Sequence, residues 1–202
     1  MTLRFRAFAT IALAAALSGC AGLLGGGGKA PATLLDLTSD AAMPAQMNRS
    51  AVAGQVVTIA VPVIAKELRT VRVPVQVSPT SVEYVANLQW VDTPDRLFQQ
   101  LLSETVRRST NRVVLDGMQG ALDPGLLVSG QLQRFGYDAA TGNVIVEYDA
   151  SLSVAGGNRV DTRRFTATVP ANGTAATVGP ALNSAANQVA GEVAAWIGNS
   201  SV

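Results

Sequence analysis

The chain of 202 residues contains no histidine and only one cysteine. Without histidine it lacks the commonest general base and metal ligand, and every Ser-His-Asp or Cys-His arrangement is excluded. A single cysteine permits no disulfide within the chain, so packing must stabilise the fold. The close carboxylate pairs, Asp92 with Asp95 and Glu147 with Asp149, lack any accompanying catalytic or calcium-binding motif and are more typical of a solvated face. We expect no enzymatic activity, no metal and no cofactor.

Charge of neither sign dominates the chain. Fifteen Lys and Arg stand against 14 Asp and Glu, and removal of residues 1–19, with Arg4 and Arg6, leaves 13 against 14. The resulting net charge of −1 gives no long-range attraction for a polyanion. We therefore expect no nucleic-acid partner.

The first 20 residues have the layout of a bacterial lipoprotein signal. Arg4 and Arg6 precede the apolar run AFATIALAAA, which is too short to span a bilayer, and LSGC follows at positions 17–20. In such a lipobox the cysteine sulfur receives a diacylglyceryl group, and the chain is cut just before the cysteine. The sequence thus predicts cleavage between Gly19 and Cys20 and a lipid anchor on Cys20, with an incidental or buried cysteine as the alternative.

The residues behind this cysteine predict a flexible tether. They read AGLLGGGGKAPA, and four consecutive glycines sustain neither helix nor strand. A phosphate-binding loop is disfavoured because Lys29 is not followed by Ser or Thr. Aspartate directly after the cysteine favours retention in the inner membrane, so Ala21 predicts the periplasmic face of a Gram-negative outer membrane. We expect a signal peptide at 1–19, a lipidated tether at 20–32 and one folded domain at 33–202.

The predicted domain alternates between strand and helix patterns. Strands are predicted at 56–63, 71–77, 81–90, 111–116, 126–137, 144–154 and 159–169, and helices at 93–109 and 179–199. Residues 117–125 are expected to form a loop, and 138–143 and 156–158 to form turns. This order predicts an α+β two-layer sandwich, in which two helices cover one face of a mixed, mostly antiparallel sheet.

Three stretches carry the strongest local patterns. Thr93 suits a helix cap, Pro94 the first helical position and Asp95 the positive end of the helix dipole. The apolar side of that helix is predicted to comprise Leu97, Phe98, Leu101, Leu102 and Val106. The core side of the strand at 144–154 is predicted to comprise Val144, Val146, Tyr148, Ala150, Leu152 and Val154. In the C-terminal helix, which is expected to stop at Gly198, the apolar positions are Leu182, Ala186, Val189, Val193 and Trp196/Ile197.

Several of these residues also carry a family resemblance. Trp90, Asp92 and Pro94 match a Trp-x-(Asp/Glu)-x-Pro stretch before the first helix, and Leu132 and Phe135 match a Leu-x-x-Phe strand. Together with the lipobox and the alanine-rich last helix ending AAWI, they make residues 33–198 resemble the ABC-type transport auxiliary lipoprotein family. The stretch TLLDLTS departs from the family pattern, which often has a tyrosine-containing strand there.

The resemblance implies a docking role in lipid transport between the two membranes. The implied partners are an MCE-domain protein and, through it, an ABC permease and an ATPase. A bound phospholipid and a homo-oligomer are further partners that this interpretation allows. With only five Phe, three Tyr and two Trp, the chain has few large side chains to spare for a lipid groove, so a scaffold is the favoured version.

Three aromatic residues are candidate contacts with a partner or a lipid, namely Tyr84, Trp90 and Tyr137. For Trp90, a buried position that seats the following helix is the favoured alternative. A different class of function also stays open, namely a general envelope lipoprotein for outer-membrane assembly or peptidoglycan binding, although the dispersed charges favour it less. An envelope hydrolase is the third hypothesis.

Overall fold

Eight strands and two α-helices make up the described part of the computed structural model, which covers residues 33–46, 49–51, 55–115, 125–154 and 159–200. A short 3₁₀ turn, Lys66–Leu68, lies between the second and third strands. In chain order the elements are β1 (Val56–Ile59), β2 (Val63–Ile64), β3 (Arg72–Ser78), β4 (Ser81–Gln89), α1 (Pro94–Ser109), β5 (Val113–Leu115), β6 (Leu126–Asp138), β7 (Asn143–Val154), β8 (Val160–Pro170) and α2 (Ala175–Asn199).

The long strand β6 organises the sheet. On one side it pairs antiparallel with β7, which pairs antiparallel with β8. On its other side β1, β2 and β3 pair with it in succession, all parallel. Beyond these, β5 lies parallel beside β1, and β4 lies antiparallel beside β3. The sheet is mixed, with the longest ladders antiparallel, as predicted.

Strand β7 confirms the clearest alternation in the sequence. Five of its six predicted core residues are buried, and the sixth, Val154, is half-buried. The buried set is Val144, Val146, Tyr148, Ala150 and Leu152. Ile145 points to the opposite face, yet it is also only 9% exposed. The period of two therefore identifies the covered face correctly and misses one apolar residue on the other.

Helix α1 begins and packs as its sequence predicts. All five predicted apolar residues are buried, and Pro94 occupies the first turn. Thr93 stands at the cap position, but its side chain makes no capping hydrogen bond. The carboxylate of Asp92 instead accepts the Thr93 N–H at 2.7 Å. The start of α1 is thus fixed by Pro94 and by the hydrogen bond between Asp92 and Thr93, rather than by the predicted threonine cap.

Helix α2 is longer than predicted at its N-terminus and ends at Asn199, the last residue of the predicted range and one residue past the expected stop at Gly198. It begins at Ala175, before Pro180, because hydroxyl bonds from Thr174 and Thr177 to the Asn172 side-chain oxygen, at 2.7 and 2.6 Å, order the preceding turn. At the other end the Ser200 hydroxyl bonds the Trp196 carbonyl oxygen at 2.8 Å. The predicted boundaries of this helix depend on apolar spacing, which gives no information about these polar hydrogen bonds.

The predicted first strand is broken in two. Residues 60–62 separate β1 from β2, and Pro62 lies in the break, where its missing N–H costs no ladder bond. Val57 pairs with Leu126, whereas Ile64 pairs with Leu132 further along β6. The predicted tether, residues 117–124 of the predicted loop 117–125, and the predicted turn 156–158 lie outside the described residues, and Cys20 does too.

Both helices lie against one face of the sheet, which confirms the predicted two-layer α+β sandwich. Helix α1 contacts β1 and β5, and α2 contacts β7 and β8 as well as α1. Three tilted aromatic pairs fill the space between the layers, with ring centroids 5.1–5.6 Å apart. They are Trp90 with Phe135, Phe98 with Tyr148, and Phe165 with Trp196. Aromatic burial of this kind is a major stabilising term in a core without disulfides.

Candidate functional site

Residues 35–41, here called the N-terminal strap, run from the end of β4 into the groove between the two helices. The Leu35 N–H donates to the Gln89 carbonyl at 2.8 Å, and the Leu35 carbonyl accepts from the Val91 N–H at 2.8 Å. This isolated parallel bridge places Leu35 beside Trp90. Leu37 is then buried in the core at 9% exposure. The stretch that departs from the family pattern thus forms a docked strap rather than a strand.

Two asparagines four residues apart on α2 hold the main chain of the strap. The Thr38 N–H donates to the Asn183 side-chain oxygen at 2.9 Å. The Asn187 side chain accepts from the Asp40 N–H at 2.9 Å and donates to the Thr38 carbonyl at 2.8 Å. Asn187 is only 4% exposed, so these bonds satisfy an amide that would otherwise be costly to bury.

Helix α1 holds the other side of the strap. The Arg108 guanidinium donates to the carbonyl oxygens of Ser39 at 3.2 Å and of Ala41 at 3.1 Å. The hydroxyls of Ser39 and Thr105 lie 2.9 Å apart. Arg108 is itself oriented by a 2.7 Å bond to Glu104. The strap therefore ties α1 to α2 through its main chain, so its hydrogen bonds depend little on its own side chains.

Arginines cap the C-terminal ends of both helices. Arg49 donates to the carbonyl of Thr110, which follows α1, and to that of Arg112 at 3.3 Å. Arg112 donates to the Ile197 carbonyl at 3.2 Å and to the Ser200 carbonyl at 2.5 Å. Helix C-termini carry partial negative charge, and cations there are stabilising. Partial burial lowers the pKa of Arg112 from its usual value, which reflects the desolvation of this guanidinium.

The space between helices and sheet is filled by side chains. Five aromatic residues in this layer are at most 2% exposed, namely Trp90, Phe98, Phe135, Tyr148 and Phe165. A cavity of about 700 Å³ lies instead at the helix C-termini. Its lining includes the polar residues Gln55, Ser109, Thr110, Asn111 and Arg112. An acyl chain is best held in an apolar groove, whereas this lining mixes those polar residues with the small residues Ala194, Ala195 and Gly198.

The three predicted aromatic contacts occupy different environments and do not form one surface. Trp90 is 2% exposed and packs on Phe135, so it serves the core. Tyr84 is half-buried on β4, with the Arg72 guanidinium 4.2 Å above its ring. Tyr137 is half-buried at the end of β6, where Gly173 approaches its ring. Tyr84 and Tyr137 remain accessible for a contact, whereas Trp90 does not.

The face of β6, β7 and β8 that points away from the helices, here called the open face, is polar. Arg164 on β8 forms a forked ion pair with Asp149 at 2.6 and 2.7 Å and reaches Glu147 at 3.4 Å. The hydrogen bond from Arg164 holds the pKa of the Asp149 carboxyl below its usual value, and a bond from Gln133 acts in the same direction. The same pairing raises the pKa of Arg164.

Three of the four paired carboxylates noted in the sequence make local contacts, and a buried oxygen of the fourth, Asp95, has no hydrogen-bond partner among the described residues. Glu147 and Asp149 share Arg164, and Asp92 accepts the Thr93 N–H. A carboxylate held ionised by an arginine is a poor general acid. Within the described residues, no three His, Cys, Asp or Glu side chains come together as metal ligands would. The geometry thus places Glu147 and Asp149 on an ion-paired surface, whereas Asp92 and Asp95 form no ion pair within the described residues.

Two buried polar groups of the aromatic layer have no hydrogen-bond partner among the described residues, the Trp90 indole N–H and the Tyr148 hydroxyl. Burial raises the pKa of Tyr148, so its hydroxyl stays protonated. These unpaired groups cost stability, and the surrounding apolar packing must offset that cost.

The architecture is that of an α+β two-layer sandwich whose N-terminal strap ties its two helices. The chain matches the family model of the ABC-type transport auxiliary lipoprotein component over residues 36–194, and it belongs to that family. The predicted family is therefore confirmed. The family is a transport auxiliary one rather than an enzyme family, and its description associates the chain with an ABC transport system and, as a lipoprotein, with the cell envelope.

Solved structures share the fold at low sequence identity. Protein XCC0632 from Xanthomonas campestris has a TM-score of 0.64 and 18% identity, over 84% of this chain and 94% of its own. A second, uncharacterised protein has a TM-score of 0.56 and 14% identity, over 75% and 94%. No curated protein matches the chain significantly. Within the described residues, no helix is both long and apolar enough to cross a membrane.

The sequence interpretation missed the polar residues that hold the strap. Asn183 and Asn187 lie within an alanine-rich helix that was interpreted only by its apolar side. A signal was present, because two asparagines at a spacing of four share one helix face and asparagine is disfavoured in helix interiors. Arg49 and Arg112 carried no comparable pattern, since each contacts residues far away in the chain.

Proposed function

We propose that this protein is a lipid-anchored docking component of an MCE-type ABC system that moves phospholipid between the inner and outer membranes. The family match over residues 36–194 carries the proposal, and the LSGC stretch that ends at Cys20 supports the anchor. In this role the protein binds and positions other components and catalyses no reaction. Its place is the periplasmic face of the outer membrane.

The anchor is the thioether-linked lipid on Cys20. Two or three acyl chains hold a protein stably at a bilayer. The 12 residues 21–32 separate this anchor from the first described residue, Thr33, and a chain of that length extends to about 40 Å at most. The folded part therefore works within about that distance of its membrane.

The protein acts as a scaffold and does not carry lipid in its core. The closed aromatic layer supports this version, because Phe98, Phe135 and Tyr148 already fill the space that an acyl chain would need. The open face supports it as well, since a polar, ion-paired sheet suits a hydrated contact with a protein partner better than contact with lipid tails. Tyr84 on β4 and Tyr137 at the end of β6 are additional proposed contacts.

Site-specific crosslinking in cells tests the docking role. A photo-crosslinking residue replaces Thr166, which is exposed on the open face, and in a matched variant it replaces Gln188, which is exposed on α2. We expect the first variant to capture an MCE-domain protein and the second to capture less of it. Capture of only porins, assembly factors or peptidoglycan by both variants would favour the general envelope role instead.

The anchor is tested separately on the mature protein. Mass spectrometry of its amino terminus should find Cys20 as the first residue with a diacylglyceryl group and a further acyl chain. The Cys20→Ser variant should lose this modification and fail to fractionate with membranes. An unmodified Cys20 in the native protein would contradict the lipid anchor, whatever the crosslinking result.

A further inference from the structure

We infer that a cavity lined by three arginines, between the end of α1 and β5, is a binding site for a phosphate group. The cavity has a volume of about 180 Å³, and its lining consists of Arg49, Arg107, Arg112, Val113 and Val114. No acidic side chain contributes to this lining. The site lies apart from the open face and from the predicted aromatic contacts, so it goes beyond the docking role.

Backbone carbonyls fix two of the guanidinium groups in place. Arg49 uses one terminal nitrogen for the carbonyls of Thr110 and Arg112, and Arg112 uses two nitrogens for the carbonyls of Ile197 and Ser200. A guanidinium has five N–H donors, so each of these arginines keeps donors that the described residues do not engage. Donors held in advance lose little entropy when a ligand binds.

The charge balance of this cluster differs from that of the other partly buried arginines. Arg108 and Arg134 each have a carboxylate at 2.7 Å. Arg49 and Arg112 have no carboxylate within ion-pair distance among the described residues, and Arg107 has only Glu104 at 3.5 Å. The helix C-termini offset part of the positive charge. The remaining charge favours an anion that arginine forks bind in two-point geometry, which is phosphate or a phosphodiester.

The size of the cavity limits what can enter it. Since a water molecule occupies about 30 Å³ in the liquid, the cavity has room for about six waters. A phosphate group of five heavy atoms fits this space, whereas a whole phospholipid does not. The group therefore comes either from a lipid headgroup whose tails stay outside or from free phosphate.

Calorimetric titration of the full-length protein in a non-ionic detergent tests the site. One arm uses inorganic phosphate, and the other uses glycerophosphoglycerol, a lipid headgroup without acyl chains. We expect saturable binding in at least one arm, weakened by added salt. Tighter binding of glycerophosphoglycerol identifies a lipid headgroup as the source, and tighter binding of phosphate identifies the free ion.

A matched pair of variants distinguishes binding at this site from nonspecific attraction to positive charge. Arg107→Gln removes a lining guanidinium whose only ion pair in the described structure is the long one to Glu104, so folding should be unaffected. Arg96→Gln removes the same charge from an exposed position on the same helix. We expect the first change to weaken binding about tenfold, as for the loss of one charge-assisted hydrogen bond, and the second by less than twofold.

Two results would overturn the site. One is the absence of saturable binding in both arms, and the other is equal weakening by the two variants, which would indicate only nonspecific attraction. Arg49→Lys gives a further check, because it keeps the charge but loses the fork and should still weaken binding. None of these measurements needs a partner protein, so a negative result for phosphate binding leaves the crosslinking test of the docking role unaffected.

Discussion

The two faces of the sheet are built from the same strands, but the covered face is apolar and the open face is polar. On β7 the residues facing the helices are apolar and buried, and Tyr148 is fully covered. Between them, Glu147 and Asp149 point to the open face and pair with Arg164. The covered face tolerates little change because close packing makes even one lost methylene group costly. The open face contributes little to stability, so its residues can be selected for contact with a partner.

The largest expected effect on stability comes from removing a large side chain from the covered face. Phe98 is fully buried and lies 5.1 Å from the Tyr148 ring, centroid to centroid. Phe98→Ala should lower the free energy of unfolding by about 3–5 kcal/mol through lost burial and the cavity left behind. Urea unfolding followed by circular dichroism measures this loss. The control, Gln100→Ala on the exposed side of α1, should stay within about 0.5 kcal/mol; similar losses for both would contradict a rigid core.

An intermediate effect is expected at the strap. Asn187→Ala removes the bonds to the Asp40 N–H and to the Thr38 carbonyl, and should cost about 1–3 kcal/mol. Hydrogen exchange gives a sharper measurement: the Asp40 amide should exchange much faster, whereas the Thr38 amide, which bonds Asn183, should change less. Gln188→Ala, one residue further on, is the control. Unchanged exchange at Asp40 would mean that the asparagine does not hold the strap.

The smallest effect on stability is expected on the open face. Arg164→Gln should leave the melting temperature at neutral pH nearly unchanged, because the ion pairs of Arg164 are exposed and solvent-screened. It should instead raise the pKa of Asp149, which carbon-detected NMR of the carboxyl measures directly. If the pKa of Asp149 does not move, then Arg164 is not the cause of its lowering.

The sign of the accompanying pH effect follows from the same shift. A carboxyl whose pKa is lowered on folding stabilises the fold above its unfolded pKa of about 3.9, and this stabilisation disappears as the pH falls through the folded value. The native protein should therefore lose stability more steeply below about pH 4 than the Arg164→Gln variant does. Acid unfolding curves of the two proteins test this difference.

Local patterns predicted the parts of the molecule that local physics determines. The apolar side of α1 and the alternation of β7 required only their own sequence, and the α+β class followed from the order of elements. The N-terminal boundary of α2 depends on polar bonds and was missed, and the break at Pro62 depends on pairing with β6 and was only partly predicted. The position of Trp90 was predicted as one of two alternatives, and its packing on Phe135 decides for the buried one.

The candidate sites were less predictable because they join distant parts of the chain. Arg49 meets Arg112 at a separation of 63 residues, and Asp40 meets Asn187 at a separation of 147. No periodicity in the sequence indicates such long-range contacts. They form only when folding of the sheet brings the helix ends and the strap together. The predicted lipid anchor is the opposite case, since the prediction at Cys20 rests on one continuous stretch, from Arg4 to Cys20 itself.

The strap also has a mechanical consequence. Leu35 lies against Gly179, Thr38 bonds Asn183 and Asp40 bonds Asn187, so the strap runs alongside α2 in the same direction. A pull on the preceding residues along this axis loads the hydrogen bonds together, in shear, whereas a pull at right angles breaks them one after another. The attachment therefore resists force best along the axis of α2. Tension applied to the chain ahead of Leu35 would turn the folded part until that axis lies along the line of tension.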